Sequence, residues 1–173
     1  MELYRVASPD DALYAPSMEI YHTSFPLHEQ REATSQATIL SHPDYHFLAA
    51  VDAGAPAGIL LTWDTPCFRY VEHFAISPAL RGQSCGSRIL KRWIEKEPNP
   101  VILEIDPLTT EIAMRRKGFY ERLGFVCNPY PHVHPPYRAE NAGHDLLVLS
   151  YPEALPQETY DAFAQYLRGV VMA

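Results

Sequence analysis

Residues 45–77 constrain the fold more than any other stretch. Three runs rich in apolar, β-branched and aromatic residues follow one another: "YHFLAAVDA" (45–53), "AGILLTWD" (57–64) and "FRYVEHFAIS" (68–77). Only residues 54–56 and 65–67 lie between them. Connections that short close antiparallel hairpins, whereas a parallel return needs a crossover of about a dozen residues or more. The segment therefore reads as an antiparallel meander, with residues 54–56 as its first turn.

Around the meander the hydrophobic period changes. "SRILKRWIEK" (87–96) sets Ile89, Leu90, Trp93 and Ile94 on one helical face, and Pro98 ends the helix. "PVILEID" (100–106) reads as a strand. Thr109 or Thr110 can cap a helix running to about Leu123, with Gly124 as its stop. Upstream, "LYRVA" (3–7) is a short strand, followed by helical segments over roughly 10–22 and up to Leu40. Downstream, "FVCNPY" and "LLVLSYP" read as two final strands around a proline-rich loop, before a last helix over roughly 156–168. The order β α α β β β α β α β β α argues for an α/β (α+β) protein. It predicts a mixed, mostly antiparallel central sheet with helices on both faces. A length of 173 residues suits a single domain over 1–173.

Composition narrows the function classes. A net charge of −7 disfavours nucleic acid, whose binding rests on neutralising phosphates, and leaves a neutral or cationic partner. No apolar run reaches the roughly 18 residues of a membrane span, so no membrane partner is expected. "MELYRVASPDD" lacks the apolar core of a signal peptide. The cysteines Cys67, Cys85 and Cys127 are odd in number and have no metal-like spacing. That fits a reducing, cytoplasmic setting and no resident metal.

The loop "ALRGQSCGSRIL" (79–90) joins the third meander strand to the helix. The first N–H groups of a helix have no internal partner, and the macrodipole adds positive charge there. Glycine lets a ligand approach such backbone closely, so the loop reads as an anion site, phosphate above all. The plainer reading is a turn shaped by Gly82 and Gly86. There is no G-K-[ST], which excludes a Walker A loop, and no G-x-G-x-x-G dinucleotide fingerprint.

What remains, Arg81-Gly82-Gln83-Ser84-Cys85-Gly86, resembles the Q/R-x-x-G-x-G/A pyrophosphate loop of the GNAT superfamily of acyl-CoA-dependent N-acyltransferases. "FYERLGF" (119–125) is similar to that family's downstream motif, and the β/α order agrees across nearly the whole chain. Ser84 stands where the pattern has its first glycine. The resemblance implies acetyl-CoA as co-substrate, lying where strands 68–77 and 100–106 splay apart. Its pantetheine amides would pair with the strand edge near Phe74, Ala75 and Ile76. Its pyrophosphate would rest on the amides of Arg81, Gly82, Gln83, Ser84, Cys85, Gly86 and Ser87. Arg81, Arg88 or Lys91 would meet the outlying phosphate, although Arg88 and Lys91 also suit a solvated helix face.

The reaction so implied is acetyl transfer to a primary amine of a small or amino-acid-like acceptor by direct attack. An amine at neutral pH is mostly protonated, so a general base helps. Glu72 and Glu104 are carboxylates in otherwise apolar strands, and Glu72 is preferred because its strand would carry the thioester. Backbone N–H groups near Ala75 or Ile76 would hold the oxyanion. Tyr120 would protonate the leaving thiolate, as the family's tyrosine does. His73 reads as a packed histidine. His132 and His134 share one side of an extended segment, but only the distant His144 could extend a ligand set, so they more simply wall an acceptor pocket or pack. Cys85 is no nucleophile, because direct transfer needs no acyl-enzyme. Glu29 and Glu32 would attract a cationic acceptor or form solvated surface. The competing reading is a degenerate, non-catalytic acyl-CoA sensor. The sequence does not choose between monomer and homodimer.

Overall fold

Ala53 and Gly54, with φ of 50° and 80°, turn the chain between strands β2 (Tyr45–Asp52) and β3 (Ala55–Asp64). Two successive positive φ values match the right-handed twist of the flanking strands. The hairpin pairs Leu48 with Leu60 and Asp52 with Ala55, with a bulge between Ala50 and Val51. Strand β1 (Glu2–Arg5) adds antiparallel to β2, Leu3 opposite Ala50.

The computed structural model describes residues 1–173, which fall into two units. The first comprises Met1–Asp64 and Val71–Pro98, the second Thr65–Tyr70 and Asn99–Ala173. Strand β4 (Arg69–Ile76) begins in the second unit and continues in the first. In the first unit the strand order is β1-β2-β3-β4. Strand β3 is buried from Ala57 through Trp63. A strand buried on both faces needs cover on both sides. The unit's helices are α1 (Tyr14–Ser24), α2 (Ala33–Ile39) and α3 (Cys85–Ile94). The stripe expected on α3 is the buried one: Ile89, Leu90, Trp93 and Ile94 all face inward.

Gly58 lets β3 approach β4 closely. A Cβ there would lie 2.8 Å from the Ala75 carbonyl oxygen and 2.9 Å from Ile76 Cδ1. Gly58→Ala should therefore displace the backbone at Ala75 and cost about 1–3 kcal/mol, an overpacking effect read by chemical denaturation. An unchanged midpoint would show that β4 yields there freely.

The second unit has strand order β5-β9-β6, antiparallel throughout. Val101 of β5 (Val101–Ile105) faces Tyr151 of β9 (Leu147–Tyr151), and Val126 of β6 (Val126–Cys127) faces Ser150. Helix α4 (Glu111–Arg122) is capped by Thr110, whose side chain accepts from the Ala113 N–H. Helix α5 (Gln157–Tyr166) runs into a π turn over Leu167–Val171. Phe163 of α5 packs its ring against Phe68, Tyr70 and His132.

The class is the expected one, a mixed α/β protein whose nine strands are mostly antiparallel. Three details differ from expectation. The strand expected over "FVCNPY" stops at Cys127, because Pro129 and Pro131 carry no N–H for a ladder. Instead Asn128 knits the segment, bonding Val148 O, Ser150 Oγ and the Leu155 N–H. The proline-rich loop contains its own hairpin, β7 (Val133–His134) with β8 (His144–Asp145), His134 opposite His144. The first helix starts at Tyr14, because Asp11 accepts from the Leu13 N–H and holds a turn there.

Candidate active site

Three groups of residues carry chemistry. The first is the loop after β4. A short 3₁₀ turn (Pro78–Leu80) leads to Gly82 at φ 79° and Ser84 at φ 59°, ψ 16°. Serine takes the left-handed conformation that a glycine would adopt freely, at a cost of about 1–2 kcal/mol. Ser84 precedes α3 without a side-chain cap, so the N–H groups at the helix start are left open to an anion. Arg81 is tied back to Ile76 O at 3.1 Å and Ser24 Oγ at 3.2 Å. Arg88 donates to the buried Cys85 sulfur at 3.4 Å. A cavity of about 330 Å³ beside the loop is lined by Gln83, Cys85, Arg88 and Arg92 together with Glu2 and Asp52. Of the strand-edge residues, Ala75 is buried, while Phe74 and Ile76 are half-buried. Lys91 is exposed on α3.

The second group surrounds Glu72, whose side chain is wholly shielded. Arg31 donates to Oε1 from Nη2 at 2.8 Å and from Nε at 3.0 Å. Trp63 Nε1 donates to Oε2 at 2.7 Å. The Arg31 guanidinium also lies 5.9 Å from the Trp63 ring centroid. Both carboxylate oxygens are thus held by donors. His73 is packed edge-on between Tyr21 and Phe25, and its Nε2–H donates to the Glu29 carbonyl at 2.8 Å. Glu29 is half-buried and Glu32 is exposed.

The third group surrounds Glu104. Tyr70 donates its hydroxyl proton to Oε1, and His132 Nε2 lies 2.5 Å from Oε2. His134 Nε2 lies 4.0 Å from Oε1, its Nδ1–H donating to Pro135 O at 2.6 Å. Burial pushes the Glu104 carboxyl up. The hydrogen bond from His132, the charges of His134 and His132 and the Tyr70 hydroxyl together outweigh that and hold it below its ordinary value. It is therefore ionised at neutral pH.

Residues 43–127, which include this glycine-bearing loop and its uncapped helix start, match the acetyltransferase (GNAT) domain family. The chain carries a GNAT domain. Over 99% of its length it superposes on 98% of a GNAT-family protein from Bacteroides thetaiotaomicron, with 28% identity and a TM-score of 0.92. Two more distant structures share the fold. One is an aminoglycoside 6′-N-acetyltransferase complexed with coenzyme A: 14% identity, TM-score 0.60, 91% of this chain and 100% of that one. The other is the ribosomal-protein-S18-alanine N-acetyltransferase from Escherichia coli: 16% identity, TM-score 0.61, 91% and 96%. No curated protein sequence matches the chain. No helix is long and apolar enough to cross a membrane.

In the downstream GNAT motif, Tyr120 sits on α4 with its ring edge-on to Phe119 and Phe125. Burial pushes its hydroxyl up to about 12, with Arg116 opposing. Full transfer from such a phenol to a thiolate of pKa about 8.5 is uphill by roughly 5 kcal/mol. A hydrogen bond to the developing thiolate costs no such transfer. The GNAT motif positions pointed to the loop and to Tyr120. They did not point to Arg31 and Trp63 as partners of Glu72, or to Tyr70 and His132 as partners of Glu104. The one local signal was the alternation "YPHVHPPY", which sets His132 and His134 on one side of an extended segment.

Proposed function

We propose that this protein is an N-acetyltransferase, acting as one domain over residues 1–173. It moves the acetyl group of acetyl-CoA to a primary amine of a small or amino-acid-like acceptor. The amine nitrogen attacks the thioester carbon, the carbon–sulfur bond breaks, and one amine proton must leave. The observation that carries the reading is the uncapped N-terminus of α3 behind Gly82 and Ser84. Its amides, from Arg81 to Ser87, receive the pyrophosphate, with Arg88 at hand for the outlying phosphate. The β4 edge at Phe74, Ala75 and Ile76 receives the pantetheine amides, and its N–H groups serve the oxyanion. The non-catalytic alternative drew on Ser84, but a serine already at φ 59° leaves the loop in the conformation that glycine would give.

Gly86→Val tests the loop. Branched bulk beside the pyrophosphate should weaken acetyl-CoA binding at least tenfold, about 1.4 kcal/mol. Equal affinities by calorimetry would remove the loop from the site.

We assign the proton to Glu104 rather than Glu72. Both are buried acceptors, but the donors on Glu72 are a guanidinium and an indole, neither of which passes a proton on. Glu104 is in contact with an imidazole, which does. Tyr120 donates a hydrogen bond to the departing thiolate. Tyr120→Phe should keep acetyl-CoA affinity and lower kcat by roughly 10- to 1,000-fold. An unchanged kcat, with chemistry rate-limiting, would leave Tyr120 as a packing residue.

A further inference from the structure

Glu104 is not an isolated carboxylate. His132 Nε2 lies 2.5 Å from its Oε2, and His132 Nδ1 lies 2.9 Å from the Tyr160 oxygen. Tyr160 donates to Pro131 O at 3.2 Å. Tyr70 donates to Oε1 from the other side. Tyr70 and His132 are 1% and 7% exposed and the Glu104 side chain 6%, whereas Tyr160 is half-exposed. The chain of hydrogen bonds thus runs without a gap from the shielded carboxylate to a hydroxyl at the surface. We propose that Tyr70, Glu104, His132 and Tyr160 form a proton relay that accepts the acceptor amine's proton at Glu104 and gives up another to water at Tyr160. The relay rests on the acetyl-transfer reading and adds the route by which the amine's proton is handled.

The hydrogen-bond directions set the resting state. The Tyr160 hydroxyl donates to a carbonyl, so its oxygen accepts the Nδ1–H of His132. Nε2 then shares one proton with Glu104 Oε2. On transfer, an O–H bond forms at Glu104 Oε1, directly or by way of the Tyr70 hydroxyl. The Nδ1–H bond of His132 breaks as its proton crosses to the Tyr160 oxygen, and the Tyr160 proton leaves to water. The glutamate–histidine pair is neutral overall before and after. No net charge is left against the apolar Phe163 ring that stacks on His132, which matters because an uncompensated buried charge is costly. The reverse exchange, run with water once product has left, restores the pair. The charged and titratable groups facing the relay are few. His134 flanks Oε1, while Arg168 and Asp161 act on Tyr160 with opposite sign.

Tyr160→Phe is the informative variant. It removes only the exit hydroxyl and keeps the ring, which stacks on Tyr130 with centroids 4.3 Å apart. Two readouts are taken. One is the exchange of the His132 ring N–H with water, followed by NMR on histidine-labelled protein. The other is kcat for thiol release from acetyl-CoA with a primary amine, with and without added imidazole as a diffusible proton carrier. The relay predicts exchange slowed at least about tenfold and kcat lowered about tenfold. It also predicts an unchanged KM for acetyl-CoA and recovery of kcat in imidazole. A structural role for the hydroxyl would give no recovery, and that result overturns the relay, as does wild-type exchange or wild-type kcat. If the wild-type protein transfers acetyl to no amine, the acetyl-transfer reading falls, and the exchange rate alone then decides whether the path conducts protons.

Discussion

Glu104→Gln is expected to lower kcat by about 10²- to 10⁴-fold, the range a positioned general base supplies. The substitution is nearly isosteric. Tyr70 can still donate to the amide oxygen, so the pocket keeps its shape while losing its proton acceptor. Acetyl-CoA affinity should not change. The wild-type pH–rate profile carries a matching sign. Glu104 is held below its ordinary value, with burial outweighed by His132, His134 and Tyr70. Its acid limb should thus lie below the usual carboxylate range and vanish in the variant. The same shift stabilises the fold above that range and is lost as pH falls through the lowered value. If Glu104→Gln retains wild-type kcat while Glu72→Gln loses the limb, the base is Glu72.

Arg31→Ala should destabilise the protein by about 3–5 kcal/mol, because it strands a fully shielded Glu72 carboxylate without the guanidinium that balances its charge. The loss comes from an unpaired buried charge rather than from the ion pair's net worth. Removing both charges, as in Arg31→Met with Glu72→Gln, should therefore recover much of it. Chemical denaturation of the two single variants and the double variant measures this. A double variant as weak as Arg31→Ala would mean that Arg31 acts through its packing on Trp63. The pair also anchors the segment around residues 29–31 to β4, so these variants should change acceptor KM before they change acetyl-CoA affinity.

What could be read from the sequence was local. The meander followed from gaps too short for a crossover, and the stripe Ile89, Leu90, Trp93, Ile94 is the buried face of α3. One of the two threonines able to cap α4 does so: Thr110 holds the Ala113 N–H at 3.1 Å. The anion loop was legible because backbone exposure at a helix start depends on a few adjacent residues. The surroundings of the glutamates were not. Arg31 lies 41 positions from Glu72 and His132 lies 28 from Glu104, and no spacing rule links residues so far apart. Alternation marked His132 and His134 as facing one way but not what they face. The strand at "FVCNPY" is shorter than its side chains suggest, because Pro129 removes the backbone donor that pairing needs after Cys127.

Transfer of acetyl from acetyl-CoA to an amine is the activity on which the proposed site stands or falls. The most direct test incubates the wild-type protein with acetyl-CoA and a panel of primary amines. The panel includes amino acids, polyamines, aminoglycosides and short peptides with free N-termini. Free thiol and N-acetyl product are measured together. Acetyl transfer predicts that at least one small amine releases thiol in step with acetylated product, and that Glu104→Gln suppresses both. Tight binding of acetyl-CoA with no thiol released above the protein-free rate for any amine would contradict it and leave an acyl-CoA-binding protein without turnover.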